Sequence, residues 1–553
     1  MTAQPQPALG TRKRYLRFSV RGLLVIVLVV GAGLGWMVQR ARVQYQAVAA
    51  IRKAAGRAEY DWEFVNAQNI AAGNSRGPKW LVNILGVDYF DDVRAVDGSN
   101  TISDQELIHV GNLGRLERLN LRETAVTDAG LAHVEGLAHL EFLDLCGDAV
   151  TDTGLAHLGG LTRLQTLWLD KAQVTDAGLA HLQGLTRLQY LALSNTKVTD
   201  AGLAHLTRLT GLWNLDLSGT AISDAGLVHL TEIPGLKSLW LAKTKVTDAA
   251  MARLEELPDL EYLVLSGTAV TDAGLKTLGG LTKLEVLEIG NTRLTDAGLA
   301  HLKGLTRLRD LALHNTGVSD AGLLQLVGLP RLQSVNLSDS LVTDTGLAHL
   351  QKMPSLTMLR LERTKVTDAG LAHLKSLSGL GVLSLSGTAV SDAGLAHLKS
   401  LTGLRELNLS RTAVSDAGLT QLRGSTSLRL LKLSDTKVTD AGLTHLKGLT
   451  GLLSLDLSDT RVTDAGLAHL RRLPALSWLF LNKTVIGDAG LAEFSQMTSL
   501  GFVFLSGTKV TDSGLAHLQG LTSLKYMFLS NTKATVAGVQ NLRKALPNLR
   551  IIR

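Results

Sequence analysis

The chain has 553 residues, a formal net charge of +7 and one cysteine, Cys146. A lone cysteine excludes an intrachain disulfide and a thiolate metal cluster. The positive charge is confined to one end: residues 1–57 hold ten Lys or Arg and no Asp or Glu, while the remainder carries 46 basic and 49 acidic groups, a net of −3. The body of the chain therefore exerts no global pull on phosphate, and no nucleic-acid partner is expected.

Residues 1–21 read as a basic cytoplasmic tail. Residues 22–38, GLLVIVLVVGAGLGWMV, carry no charge. As a helix they span roughly 25 Å, a little under the ~30 Å hydrocarbon core, and flanking arginines can snorkel. Trp36 suits an interface. A cleaved signal peptide is the rival reading. Its apolar core is typically about 7–15 residues, with a small-residue cleavage site close behind. Here Gln39, Arg40 and Arg42 follow the run at once, and Ala47-Val48-Ala49 lies too far downstream. The expectation is an uncleaved transmembrane helix. Five basic residues precede it; Arg40, Arg42, Arg52 and Lys53 follow. The bias is slight and favours repeats outside the cytoplasm. Beyond the span we expect a juxtamembrane helix and strand (39–63), a link (64–78) and an N-terminal cap (79–92). In the cap, Trp80, Leu81, Ile84, Leu85 and Phe90 are available for one buried face.

From residue 93 a 24-residue period takes over and runs to 533. Asp recurs in one slot from Asp104 to Asp512, eighteen copies without insertion or deletion. Most copies contain L-x-x-L-x-L, as in Leu116, Leu119 and Leu121. Alternation in Leu119-Asn120-Leu121 predicts a strand with one buried face. Thr124 and its equivalents can bond the backbone where the chain leaves the strand; Asn100 falls in that slot in the first unit. The Asp reads as a cap whose carboxylate satisfies free N–H groups of the helix behind it. Gly130 is read as a site of close approach between neighbouring turns, since Ala250 shares its slot. Gly at 136, 160 and 184, and Pro two residues on at 234, 258 and 330, mark the helix stop. Residues 534–553 read as a C-terminal cap.

The L-x-x-L-x-L units resemble those of leucine-rich-repeat proteins, in particular bacterial proteins with "VTDAGL" units, and they are similar to the repeats of F-box leucine-rich-repeat proteins. The resemblance covers residues 93–553. It implies an α/β solenoid with a curved parallel sheet inside and short helices outside. RFSVRGLLVIVLVVGAGLGW, with the basic stretch after it, looks like the anchor of bacterial members. That implies a single-pass protein of a bacterial inner membrane with extracytoplasmic repeats.

His recurs at thirteen helical positions, among them His133, His157 and His517. Layers at least about 4.8 Å apart offer one His each, which does not suit a metal whose ligand atoms lie about 2 Å away. No Ser-His-Asp cluster, P-loop or Gly-rich phosphate motif appears. No enzymatic activity, catalytic residue, cofactor or metal is expected. The aromatic residues are more informative. Eleven of the thirteen in the repeats sit at the third or fifth position of the L-x-x-L-x-L phrase, flanking the buried Leu and pointing to the open face. Trp478, Phe480, Phe502, Phe504, Tyr526 and Phe528 fall in three consecutive strands and form the candidate partner site. Phe142, Trp168, Tyr190, Trp240 and Tyr262 form a secondary one. The expected function is a membrane-anchored scaffold or receptor that binds a protein or peptide on its concave face, with self-association left open. An envelope spacer is the alternative, since eighteen strands extend roughly 85 Å. An F-box-like adaptor is disfavoured, because residues 39–92 offer no helical F-box.

Overall fold

A computed structural model describes residues 20–63, 75–147 and 149–553. Most of the expected tail (1–21) and link (64–78) lies outside the described residues. The chain divides into two compact units, Met1–Gln173 and Val174–Arg553.

Unit 1 begins with a continuous helix, α1 (Val20–Lys53). By length and composition it can cross a membrane. From Leu23 to Val38 its side chains are exposed, and buried positions begin at Ala41. Ala41, Gln44, Ala47, Val48 and Ile51 recur at helical spacing and are buried. Gln44 is held on three sides. Its amide donates to the Asp91 carbonyl (2.8 Å) and Asp88 Oδ1 (3.1 Å), and it accepts from the Val93 N–H (3.2 Å). Arg40 forms an ion pair with Asp92. Strand β1 (Arg57–Tyr60) then pairs antiparallel with β2 (Val93–Asp97), Ala58 opposite Val96. From β2 onward β3 (Arg118–Asn120), β4 (Phe142–Asp144) and β5 (Thr166–Trp168) add in parallel.

Between β1 and β2 lies α2 (Lys79–Leu85), the heart of the expected cap. It buries none of its residues. The end of the first repeat is covered instead by the second half of α1 and by β1, whose small and branched side chains already close the core there.

The first repeat also breaks phase. Val96 pairs with Leu119, an offset of 23 rather than 24. The hydroxyl of Thr101 donates to the Gly98 carbonyl, as Thr124 does to Leu121. Asn100 therefore does not stand in for the threonine. It takes the preceding left-handed position (φ 59°), the counterpart of Glu123.

Unit 2 contains sixteen strands of three residues, from Tyr190–Ala192 to Arg550–Ile552. Successive strands pair in parallel with a 24-residue step, as in Leu287 to Leu311 to Val335. The central residue of each strand is buried. Short helices follow, most of them beginning at the repeated aspartate, as in Asp296–Leu299.

Two local devices turn the chain from strand to helix. First, a buried Thr donates its hydroxyl to the carbonyl three residues back, as Thr316 does to Leu313 (2.7 Å). Second, the residue before that Thr is left-handed: Asn195, Lys243 and Arg363 have φ near +55°, and Gly219 and Gly267 fill the same slot. An L-residue there costs about 1–2 kcal/mol, partly offset by the backbone freedom that glycine loses on folding. Lys243→Gly should thus raise stability by about 1 kcal/mol, and Gly267→Val should lower it. Denaturant midpoints check both; equal midpoints would show that the slot carries no strain.

The aspartate does not cap its own helix. That role falls to the preceding Thr or Ser, as where Thr295 Oγ1 accepts from the Ala297 N–H. The Asp is already the first helical residue, so its carboxylate is turned along the solenoid, toward the following repeat. Asp272 accepts from the Thr295 N–H (2.8 Å) and from its hydroxyl (2.5 Å). The same pair of bonds recurs from Asp296 to Ser319 and from Asp440 to Thr463. At Asp464 the next repeat presents Gly487, and only the N–H bond remains.

This staple explains the helical glycine. A Cβ on Gly298 would lie 2.5 Å from Asp272 Oδ1 and 3.1 Å from Leu275 Cδ1. Where Ala250 takes the slot, Asp248–Ala250 becomes a 3-10 turn, and the helix of the repeat before it starts late, at Leu227. Asp224 keeps both bonds to Thr247.

Candidate functional site

The six late aromatics lie on three adjacent strands of unit 2: Trp478–Phe480, Phe502–Phe504 and Tyr526–Phe528. Because each strand turns its central residue inward, Leu479, Val503 and Met527 are buried, and the flanking rings share the other face. Parallel register aligns Trp478 with Phe502 and Tyr526, and Phe480 with Phe504 and Phe528. Strand spacing then sets the stacking. Ring centroids are 3.5 Å apart for Trp478–Phe502 and 5.3 Å for Phe502–Tyr526, with planes within 7°. Phe480–Phe504 and Phe504–Phe528 are 4.2 and 4.4 Å apart.

The result is two parallel ladders of rings. Trp478 is 38% exposed; the other five are half-buried. The C-terminal strand Arg550–Ile552 lies beside the grid rather than over it. Arg550 pairs with Tyr526 in register, and its guanidinium stands 5.7 Å from that ring. On the opposite edge Asp456 is the register partner of Phe480. The patch is therefore apolar in the middle and charged at both rims.

The secondary aromatics fall in both units. In unit 1, Phe142 and Trp168 meet edge to face at 5.1 Å, with Arg118 4.5 Å from the Phe142 ring and Arg122 5.8 Å from Trp168. They line a groove of about 410 Å³ with Glu59, Asp97 and Asp144. In unit 2, Trp240 stacks on Tyr262 at 5.1 Å, and Tyr190 belongs to the strand Tyr190–Ala192. The Tyr262 hydroxyl donates to Glu288 (2.8 Å), and burial pushes its pKa up.

A further site was not singled out from the sequence. Residues 263–477 lack aromatics, yet their open face carries a polar groove of about 430 Å³ lined by His314, Arg360, Glu362, Glu406 and Lys432. Ser384 donates to Glu362 (2.7 Å). Arg363 pairs with Asp339 and holds that carboxyl below the usual range. The signal was available: Arg360, Glu406 and Lys432 occupy the same third and fifth positions as the rings. A search for large apolar side chains passes over them.

Cys146 is buried in unit 1. Its thiol donates toward Asp170 (3.1 Å), and burial together with the neighbouring carboxylates pushes its pKa up, which suppresses the thiolate. Some histidines bond to the preceding repeat, as His205 does with Gln183 (2.7 Å). Among the described residues no group of three His, Cys, Asp or Glu is placed to hold a metal.

Comparison with known proteins gives the following. No curated protein matches the chain. Among solved structures, an internalin from Listeria monocytogenes is 28% identical, covering 54% of this chain and 82% of its own, with a TM-score of 0.44. A leucine-rich-repeat protein of Leptospira interrogans is 20% identical over 75% of this chain and 96% of its own, TM-score 0.43. The leucine-rich-repeat ectodomain of the Arabidopsis receptor kinase HAESA, solved with a peptide hormone, is 15% identical over 92% and 89%, TM-score 0.43. The family described as a leucine-rich repeat region matches residues 98–296 and 173–396, together more than half of the chain, and a second leucine-rich-repeat family matches 424–446 and 450–470. With the 24-residue strand–helix unit seen in both units, the family match over more than half of the chain places it in the leucine-rich-repeat family.

Proposed function

We propose that this is a membrane-anchored interaction module, spanning a bacterial inner membrane through α1 and holding its repeats outside the cytoplasm. Its open sheet face binds a protein or peptide. Trp478, Phe480, Phe502, Phe504, Tyr526 and Phe528 make the main contact, and Phe142, Trp168, Tyr190, Trp240 and Tyr262 a secondary one. The observation that carries this reading is the uncovered, stacked grid with charged rims.

Cross-strand stacking contributes only about 0.2–1 kcal/mol per pair. The same slots elsewhere hold Asn408 and Ser454, so folding does not require rings there. A covered aromatic buries about 150–250 Å². Six together rival the ~300–600 Å² patches that mark the largest apolar surface of a monomer. A partner that desolvates them gains several times the stacking energy, since hot spots are rich in Trp and Tyr.

The test is site-specific photocrosslinking in intact cells, with the photoreactive group at position 504 and a control at 408. We expect a discrete adduct at 504 alone, lost in the Phe502→Ser variant. The Phe502→Ser, Phe504→Ser pair should leave the unfolding transition in place and abolish partner capture. Unchanged capture would move the contact to the secondary aromatics. No adduct at either position would favour a structural spacer.

A further inference from the structure

In unit 1 one face of α2 is apolar and exposed. Within α2, Trp80, Ile84 and Leu85 are 65%, 72% and 47% exposed. Trp80 and Ile84 stand one helical turn apart, on the same side. Three large apolar groups left in water on a seven-residue helix have no folding role that a polar residue would not fill.

The position of α2 points to what covers them. Its C-terminal end faces α1 across a groove of about 620 Å³, walled by Val38, Ala41, Tyr45, Leu85 and Val87. Val38 ends the apolar stretch of α1. Tyr45, 65% exposed, lies seven residues on, about 10 Å along the axis. The polar headgroup layer is about 5–8 Å thick on each side of the hydrocarbon core. α2 therefore sits at the depth where amphipathic aromatic residues gather at a bilayer surface.

The charges agree with that depth. Arg42, on the same groove, and Lys79, at the start of α2, have no carboxylate partner among the described residues. Trp36, 64% exposed, lies at the end of the span with the Arg40 guanidinium 5.6 Å from its ring.

We infer that α2 is a second membrane contact: it lies in the interface of the bilayer that α1 crosses, with Trp80, Ile84 and Leu85 in the headgroup–acyl boundary and Arg42 and Lys79 on anionic phospholipid headgroups. The inference rests on the reading that α1 spans a membrane. A single helix leaves the first repeats free to turn about its axis. A second, interfacial contact fixes which side of unit 1 faces the lipid. Interfacial helices bury their apolar face about 5–10 Å into the headgroup–acyl boundary, so the contact is shallow.

The experiment uses the full chain with Ile84→Cys, labelled with an environment-sensitive fluorophore. Buried Cys146 stays in place, and the unsubstituted chain serves as the labelling blank. The protein is reconstituted into phosphatidylcholine–phosphatidylglycerol vesicles and recovered by flotation. The label at 84 should shift to the blue and lose about half or more of its emission to lipid with a nitroxide near the headgroup. It should lose little to lipid with a nitroxide near the chain end. A label on Ala132→Cys, exposed at the end of the repeat helix Asp128–Leu131, should respond to neither. A chain that floats with an unquenched label at 84 overturns the inference and leaves the anchor reading standing. A chain that does not float overturns both. A blue-shifted label that no nitroxide lipid quenches means that a second copy of the chain covers α2, and also overturns it.

Discussion

Leu311→Ala is expected to lower the stability of unit 2 by about 2–5 kcal/mol, and to do so more than any single change at the solvent-facing slots. Leu311 is fully buried, with Leu287 and Val335 as its register partners on either side. The cost of such a truncation depends on how far the walls can collapse into the hole. Here they have little freedom. Backbone bonds hold both neighbouring strands in register, and the layers above and below repeat the same leucine contact. Most of the cavity should therefore persist, placing the variant in the upper half of that range. Denaturant unfolding of the full chain, followed by circular dichroism, measures the shift. A loss below about 1 kcal/mol would mean that the repeats slide to fill the space, against the rigid register described above.

The second large effect concerns the staple between repeats. Gly298→Ala should cost about 1–3 kcal/mol, because the new Cβ meets Asp272 Oδ1 at 2.5 Å. That carboxylate cannot step aside freely, since Thr295 holds both of its oxygens. Asp272→Ala alone should also cost about 1–3 kcal/mol, as it leaves the Thr295 N–H and hydroxyl without their acceptor. The informative measurement is the double variant. Once the carboxylate is gone, the added methyl has room, so the two losses should not add. Simple additivity in denaturant melts would show that the helical glycine answers to something other than the aspartate.

The repeat was legible in the sequence because its signal is redundant. Leu119, Leu143 and Leu167 repeat one burial pattern, and register follows once a single strand is placed. The aromatic grid was legible for the same reason: third and fifth positions face outward wherever the central residue faces inward. Two features were not. The partner of each aspartate lies 23 residues away in sequence, and a capping residue looks the same whether its bond is local or not. The deletion in the first repeat falls between β2 and Asp104, where neither the leucines nor the aspartate reveal which side of the turn is short. The N-terminal cap failed on a different count. Trp80 and Ile84 are apolar enough to close a core, but the small residues of α1 reach it first, and apolarity alone does not say which of two surfaces a side chain will meet.

The forward reach of the aspartate staple has a consequence for how such a chain can change its length. Each unit supplies the carboxylate and its successor supplies the donors, so nearly every internal junction has the same two halves. Removing or duplicating any stretch of 24 residues rejoins an intact half to an intact half, wherever the cut falls within the unit. A change of any other length separates them and strands a carboxylate against the wrong turn. Growth and shrinkage by whole units are thus nearly silent to the fold, while a residue inserted between a carboxylate and its donors is not. The reach of the protein is free to drift in steps, and the chemistry of its ends stays where it was.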